Sequence, residues 1–329
     1  MSTYITLHKI KVQNANCVAG LTFGFPAISH FLGYTHALSR KLQRNYPIAL
    51  LGCSVICHQH QIQAYQPSGW GDYFFALTRN PLTKEGKTAA IVEEGRMHMT
   101  ISLIIECEGV IAGGEAGQNV FKQALLNLAQ CHKLSGGTII AIDNISIDCS
   151  DEQTILTRRI MRSVMPGFVL IDRSPLLGEH LTRLQQSNPQ ADLLEAWLDF
   201  SALKYQAQAI VDEYNTDELN ETNKAIWQPV AKPAKGHLVP ITTGFKAISD
   251  VHQPGTVINA RDSHTPFCFV EAVYGIGEWQ SPQRVQDISH VIWRYHHQAQ
   301  WYVCKTSQPT SPVIHPDQQP LLIEEDFSY

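Results

Sequence analysis

From Met97 to Ile105 every second residue is large and apolar: Met97, Met99, Ile101, Leu103 and Ile105 share one face of a period-two pattern. A chain with that alternation lays these five side chains on a buried sheet face and turns His98, Thr100 and Ser102 the other way. The segments around this strand carry other periods. Tyr4 to Val12 reads as a first strand that ends at a polar turn, Gln13-Asn14-Ala15-Asn16. Behind Pro26, a residue tolerated in a first helical turn, Ile28, Phe31, Leu32, Thr35, Leu38 and Leu42 recur at helical spacing up to Arg44. Ala49 to Gln63 alternates like a strand. Val120, Phe121, Ala124, Leu125 and Leu128 mark a second amphipathic helix that stops at Ser135-Gly136-Gly137, where glycine accepts positive φ. Thr138 to Ile147 reads as one more strand.

The order strand, helix, strand, strand, helix, strand over residues 1–150 predicts an α+β fold with a ferredoxin-like (RRM-like) core: a four-stranded antiparallel sheet with two helices on one face. That core is interrupted between its second and third strands. Leu77 to Met99 concentrates Arg79, Lys84, Lys87 and Arg96 around an Asn80-Pro81 break, with glycines at 86 and 95. An insertion of that kind costs backbone entropy and needs a compensating partner. A polyanion suits it, because guanidinium and ammonium groups on a projecting hairpin grip phosphates without burying charge.

Past Ser150 the character changes. Ser150 and Gln153 form a capping-box pattern before a helix with Leu156, Ile160 and Val164 on its apolar side and Arg158, Arg159 and Arg162 opposite, read as a solvated or protein-facing surface. A further helix is expected through Leu193 to Leu203. Lys204 to Lys235 is polar and poor in pattern, a linker or loop. Gly236 to Lys305 reads as short strands with a helix near Val285 to Trp293, and the four prolines between Thr306 and Leu321 give an extended tail. The expected division is therefore 1–150, the core with its insertion at about 64–96, and 151–329, a helical segment followed by a β-rich region packing on the core.

Composition narrows the function. No run of about 18 apolar residues exists and Met1 to Lys11 lacks a signal-peptide build, so a cytoplasmic protein without membrane contact is expected. The eight cysteines lack framework spacing and are read as reduced thiols. The net charge of -5 argues against coating duplex DNA. Yet residues 1–150 hold 11 Lys and Arg against 9 Asp and Glu, whereas 151–329 hold 14 against 21. A near-neutral first half with cations clustered in loops suits a small nucleic-acid footprint. Three loops shape that expectation. Gln13, Asn14 and Asn16 offer amides that present donor and acceptor together to a base edge, Gly136 and Gly137 let a backbone approach phosphate or sugar, and the insertion supplies Arg79, Asn80, Lys84 and Arg96. No cofactor or metal is expected. In an extended strand Cys53 and Cys57 project away from His58 and His60, and Gly113 to Gly117 lacks a strand-to-helix phosphate-loop setting.

Seven motifs stand out in order: Gln13-Asn-Ala-Asn16, Gly24-Phe-Pro26, Leu77-Thr-Arg-Asn-Pro-Leu82, Thr88 to Arg96, Met165-Pro-Gly-Phe168, Asn259-Ala-Arg-Asp262 and Gly277-Glu-Trp279. Together, from about Ile10 to Trp301, they resemble the family of CRISPR-associated subunits that cap the 5′ end of the guide RNA in type I-F (Csy) surveillance complexes. The resemblance implies a non-catalytic, repeat-associated RNA-binding (RAMP) protein in antiviral defence. Such a subunit would hold the crRNA 5′ handle, pair with the large subunit, abut the terminal backbone subunit and meet target DNA mainly through the assembled complex. On that basis Leu77–Arg96 resembles the projecting β-hairpin thumb of such proteins. Arg79, Arg96 and Arg261 would contact phosphates or stack on bases, with Arg261 brought over by the second half. Two rival readings stand beside it. Relatives on this fold cut repeat RNA with a histidine near the first helix, which makes His30 or His36 the candidate base of an endoribonuclease. A structural protein with no nucleic-acid contact is the other, its Trp279, Trp293, Trp301 and Tyr302 forming an interface or a C-terminal core.

Overall fold

A computed structural model of the chain describes residues 2–69, 71–209, 225–260 and 262–307. The architecture is α+β, a large antiparallel sheet carrying, among the described residues, five α-helices. Its first half consists of β1 (Ser2–Asn16), α1 (Ile28–Leu42), β2 (Ile48–Ile62), β3 (Arg96–Gly109), α2 (Gly114–Gln130), β4 (Gly137–Ala141) and β5 (Asn144–Ser150). β4 and β5 both pair with β1, β1 pairs with β3, and β3 with β2, every pair antiparallel. Register keeps the apolar rows together: Ile5 faces Ile105 on one side and Ile147 on the other, and Val12 faces Met99 and Ile139.

The alternation in β3 marks the face that receives α1 and α2. Phe31, Leu32 and Leu38 of α1 and Phe121 and Leu125 of α2 pack with Ile5, Leu7, Ile10, Val55, Ile101, Leu103 and Ile105 in one buried cluster. The opposite face is also covered. Tyr4, Ile56 and Ile104 lie under Leu156 and Ile160 of α3 (Gln153–Ser163) and its C-cap Val164, together with Ile288, Val291 and Ile292. That second layer explains why Ile104 breaks the polar alternation of β3.

Residues 151–307 extend the same sheet rather than stacking beside it. β6 (Phe168–Asp172) pairs with β2, β8 (Val270–Gln280) with β6, β7 (Leu238–Ala247) with β8, β10 (Trp301–Thr306) with β7, and β9 (Trp293–Gln298) with β10. β9 then returns to β2 through Trp293 opposite Cys53, so six antiparallel strands close into a ring. Gly52 makes that closure possible, since a Cβ there would lie 2.4 Å from the Trp293 carbonyl oxygen. Trp293 is fully buried and its Nε1 donates to the Leu170 carbonyl at 3.0 Å.

Several expectations are corrected. Gln13 to Asn16 is not a turn but the continuation of β1, with Ala15 opposite Met97 and Asn16 opposite Arg96. Thr138 to Ile147 divides into β4 and β5. The break at Ile142–Asp143 mirrors an irregularity in β1 at Lys9 (φ 46°), whose N–H leaves the ladder to donate to Ser102 Oγ at 2.9 Å. Gly136 does not stop a helix. Lys133–Leu134 pairs with Gly137–Thr138 across a two-residue turn in which Ser135 (φ 50°) and Gly136 (φ 73°) both take positive φ, the backbone that matches strand twist. α3 is N-capped by Glu152 without a side-chain bond, and Ser150 Oγ instead accepts from the Glu152 N–H. The segment expected as a helix near Val285 to Trp293 contains a one-turn 3₁₀ helix, Ile288–Val291. A helix over Pro175–Ser187 (α4) was not foreseen, whereas α5 (Leu193–Ser201) was. Within the expected linker, Tyr205–Ala209 and Ala225–Pro229 form a two-stranded ladder; residues 210–224, and the tail from 308, lie outside the described residues. Among the described residues no helix is long and apolar enough to cross a membrane.

Burial lowers the basicity of His8, where Asp148 partly offsets it, and of His30 and His296. At these three rings the unfolded chain binds more protons than the folded one below about pH 6.5, so their contribution to stability rises with pH through that window. A melting temperature lower at about pH 5.5 than at about pH 7 is the expected result of a thermal scan, and His30→Gln is expected to reduce the difference.

Candidate nucleic-acid interface

The last residues of β1 bring together Gln13, Asn14, Asn16, Arg96, Gly136 and Gly137, which are far apart in sequence. Asn14 adopts φ 55° in a bulge of β1, and its backbone N–H donates to His98 Nδ1 at 3.3 Å. Its side-chain oxygen accepts from Gln63 Nε2 at 2.9 Å, and its carbonyl accepts from Arg96 Nη1 at 3.3 Å. Arg96 also donates from Nε to Glu94 Oε2 at 2.8 Å, and its Nη2 pairs with the same oxygen, so the guanidinium is fixed between a carboxylate and the strand. About a third of its side chain stays exposed (34%).

Asn16 does not present a free amide. Its Nδ2 donates to the Val18 carbonyl at 2.8 Å and its Oδ1 accepts from the Val18 N–H at 3.1 Å, which turns the chain into the small hairpin of Val18–Ala19 with Thr22–Phe23. Gln13 is exposed. The two glycines differ in the same way: Gly136 opens to solvent with nothing near, whereas a Cβ on Gly137 would sit 2.7 Å from the Gln13 carbonyl oxygen and 2.8 Å from the Ala15 nitrogen. Gly137 serves the close approach of the chain's own strands. Gly137→Ala is expected to cost about 1–3 kcal/mol in a denaturant titration, the usual penalty of overpacking, while Gly136→Ala, limited to backbone strain at an open turn, is expected to cost less.

Ser135 ties the hairpin to β1 and α1. Its carbonyl accepts from the Asn16 N–H at 2.8 Å, its hydroxyl donates to the Asn16 carbonyl at 3.1 Å, and His30 Nδ1 lies 3.0 Å from that hydroxyl. Since the hydroxyl proton is already committed, Nδ1–H donates to that oxygen, and burial lowers the basicity of the ring. His36 is exposed and meets only the Tyr295 ring edge-on at 6.5 Å. Among the described residues no hydrogen bond links either ring to a carboxylate.

Residues 64–96 form two short antiparallel ladders, Ala64–Tyr65 with Phe74–Phe75 and Leu77–Arg79 with Ile91–Glu93. Arg79, Asn80 and Lys84 are exposed on it, Lys84 standing 3.9 Å from Glu85. Its root sits against the Asn14 cluster: Cys17 N–H donates to Gly95 O at 3.0 Å, Gln63 N–H to Arg96 O at 2.8 Å, and the Phe23 and Phe75 rings meet edge-on at 5.7 Å. Arg261 lies outside the described residues. Sequence reasoning missed Gln63 and His98, which shape the Asn14 bulge. It also missed the exposed rings of Tyr65 (66%), Tyr73 (63%) and Phe74 (49%). Aromatics interleaved with a basic insertion were the available signal, because rings beside cations offer stacking platforms to unpaired bases.

Cys57 and His60 do not project apart as expected, because β2 shifts register between Cys57 and Gln59 and turns the two side chains together; among the described residues no three ligating side chains gather. Cys53 is buried, with its thiol pushed up to about 12 by burial, and Cys57 Sγ lies 4.0 Å from His60 Nδ1. His58 bridges Ser102 Oγ at 2.7 Å and the Pro166 carbonyl at 2.6 Å.

Comparison with known proteins agrees with the ordered motifs. The sequence profile of the family described as CRISPR-associated protein (Cas_Csy2) matches residues 5–304. The "CRISPR-associated protein Csy2" of Pseudomonas aeruginosa (strain UCBPP-PA14) is 38% identical over 305 residues, covering 89% of this chain and 91% of the relative. A match across β1 to β10, at that identity and coverage, makes this chain a member of the Csy2 family of CRISPR-associated proteins.

Proposed function

We propose that the chain is the subunit that caps the crRNA 5′ handle in a type I-F (Csy) surveillance complex, without cutting it, and that it also pairs with the large subunit and abuts the terminal backbone subunit. Membership of the Csy2 family supports the complex. The observation that carries the RNA reading is the convergence of Gln13, Asn14, Arg96 and Gly136 at one end of β1 beside the root of a basic, aromatic insertion. In this reading the Gln13 and Asn14 amides meet base edges of splayed nucleotides and Gly136 admits the sugar–phosphate backbone. Arg79, Lys84 and the exposed part of Arg96 neutralise phosphates, and Arg261 joins them from the second half. Gly137 and Asn16 act one step back, by holding the hairpin and β1 in register.

The first half is read as ferredoxin-like because its strand order is fourth, first, third, second, all antiparallel, with α1 and α2 sharing one core cluster. Residues 64–96 then take the place of a thumb between the second and third strands. The protein works in the cytoplasm and touches target DNA through the assembled complex. Isolation of the complex from its native host, followed by sequencing of bound RNA and identification of accompanying proteins, tests the assignment. The expected result is repeat-derived RNA 5′ ends with large and backbone subunits. Recovery of the chain alone, or with unrelated RNA, would contradict it. Incubation with repeat RNA is expected to yield no cleavage products.

A further inference from the structure

We propose that the cleft between α3 and the Pro282–Gln286 segment is a second, sequence-independent contact for nucleic-acid phosphates, separate from the handle interface. The cleft has a volume of about 670 Å³ and is lined by Arg158, Arg162, Thr154, Gln283 and Gln286 around a floor of Met161, Met165 and Val285. Among the described residues no carboxylate lines it. The three arginines of α3 divide by role. Arg159 is anchored, its Nε 2.9 Å from Asp148 Oδ1 and its Nη2 donating to the Cys149 carbonyl at 3.3 Å. Arg158 and Arg162 are exposed, and among the described residues neither belongs to an ion pair.

Position and spacing define the ligand. α3 packs over Tyr4, near the start of β1, whereas the handle interface gathers at Asn14. Ten residues of strand, irregular at two places, separate the two, at most about 33 Å at 3.3 Å per residue, so the two sites take different nucleotides. Arg158 and Arg162 sit one helical turn apart, about 6 Å along the axis, an interval comparable to successive phosphates on one strand. Guanidinium forks match phosphate oxygens, while the Thr154 hydroxyl and the Gln283 and Gln286 amides add neutral donors that tolerate any sequence. A protein carboxylate would use the same forks, but it has no need of two of them repeating along one open row.

The test uses the full chain and fluorescence anisotropy with two labelled probes, a 20-base-pair DNA duplex and a single-stranded RNA of scrambled sequence, titrated between about 50 and 200 mM salt. Arg158→Gln with Arg162→Gln is expected to weaken binding about tenfold or more for at least one probe. The plot of log affinity against log salt is expected to become shallower by about 1.8 on the duplex or about 1.4 on the single strand, two phosphate contacts in either case. The probe that responds identifies the source of the phosphates. The double lysine variant, which keeps the charges, is expected to retain the wild-type slope, and Arg159→Gln to leave it unchanged. Slopes unaltered by the double glutamine variant on both probes would overturn the proposal, as would loss of slope in the lysine variant. Competition by an acidic polypeptide with no measurable binding of either probe would do the same and mark a protein-facing cleft. Handle affinity is measured alongside and should not change, so failure of the capping function would show there and not here.

Discussion

Trp293→Ala is expected to destabilise the protein by about 3–5 kcal/mol, the range for deleting a fully buried large aromatic, and so to remove much of a typical domain's stability. Trp293 is fully buried, faces Cys53 where β9 closes on β2, and bonds the Leu170 carbonyl of β6 through Nε1. Its removal leaves a cavity among three strands and a buried carbonyl without its donor. Urea titration measures the loss. Trp293→Phe, which keeps most of the volume but forfeits the hydrogen bond, should fall between the two, and an alanine variant within about 1 kcal/mol of wild type would refute the closed ring.

Arg79→Glu with Lys84→Glu is expected to weaken handle-RNA binding and flatten its salt dependence by about 1.4, since each phosphate contact to a single strand contributes about 0.7 to the slope. Both side chains are exposed on the insertion and neither supports the core, so the melting temperature should stay at the wild-type value. Filter binding of labelled repeat RNA over a salt series checks the first part and a thermal melt the second. An unchanged slope would place the insertion outside the RNA path. Arg96→Gln is expected to act differently. It breaks the contacts to Glu94 and the Asn14 carbonyl, so affinity and local stability should fall together.

Strong periodicity was the legible part of this fold. The apolar rows of β1, β2, β3, α1 and α2 reappear as one buried cluster, because a two-residue or 3.6-residue repeat leaves few ways to bury its face. What escaped was decided by tertiary partners. Gln13 to Asn16 looks like a turn by residue type, yet β3 supplies a pairing edge that carries β1 onward, with Asn14 absorbed in a bulge. Ser135-Gly136 reads as a helix stop and not as a hairpin turn, since its partner strand, Lys133–Leu134, has only two residues. α4 hid behind a short apolar stripe, Leu177 and Leu181, that gains meaning only against α5 and β8. Closure of the second half through Trp293 and Gly52 leaves no local trace at all, because it rests on a single pairing between residues some 240 apart in sequence.

The candidate site divides similarly. Asn14, Arg96 and Gly136 were visible as residue types suited to RNA, and the structure brings them together. Asn16 and Gly137 also have internal uses that residue type does not reveal: one amide bonds Val18, and one absent side chain makes room for Gln13 and Ala15. Such internal uses cannot be separated from ligand-facing ones until the neighbours are known.

The seating of a short transcript at this end of β1 is tested most directly by comparing the affinity of the purified protein, with its large-subunit companion present, for an RNA bearing the repeat-derived leader and for a scrambled oligomer of equal length. A clear preference for the leader, lost when Asn14→Ala and Arg96→Gln are combined, is the predicted result. Equal affinity for both RNAs would contradict it.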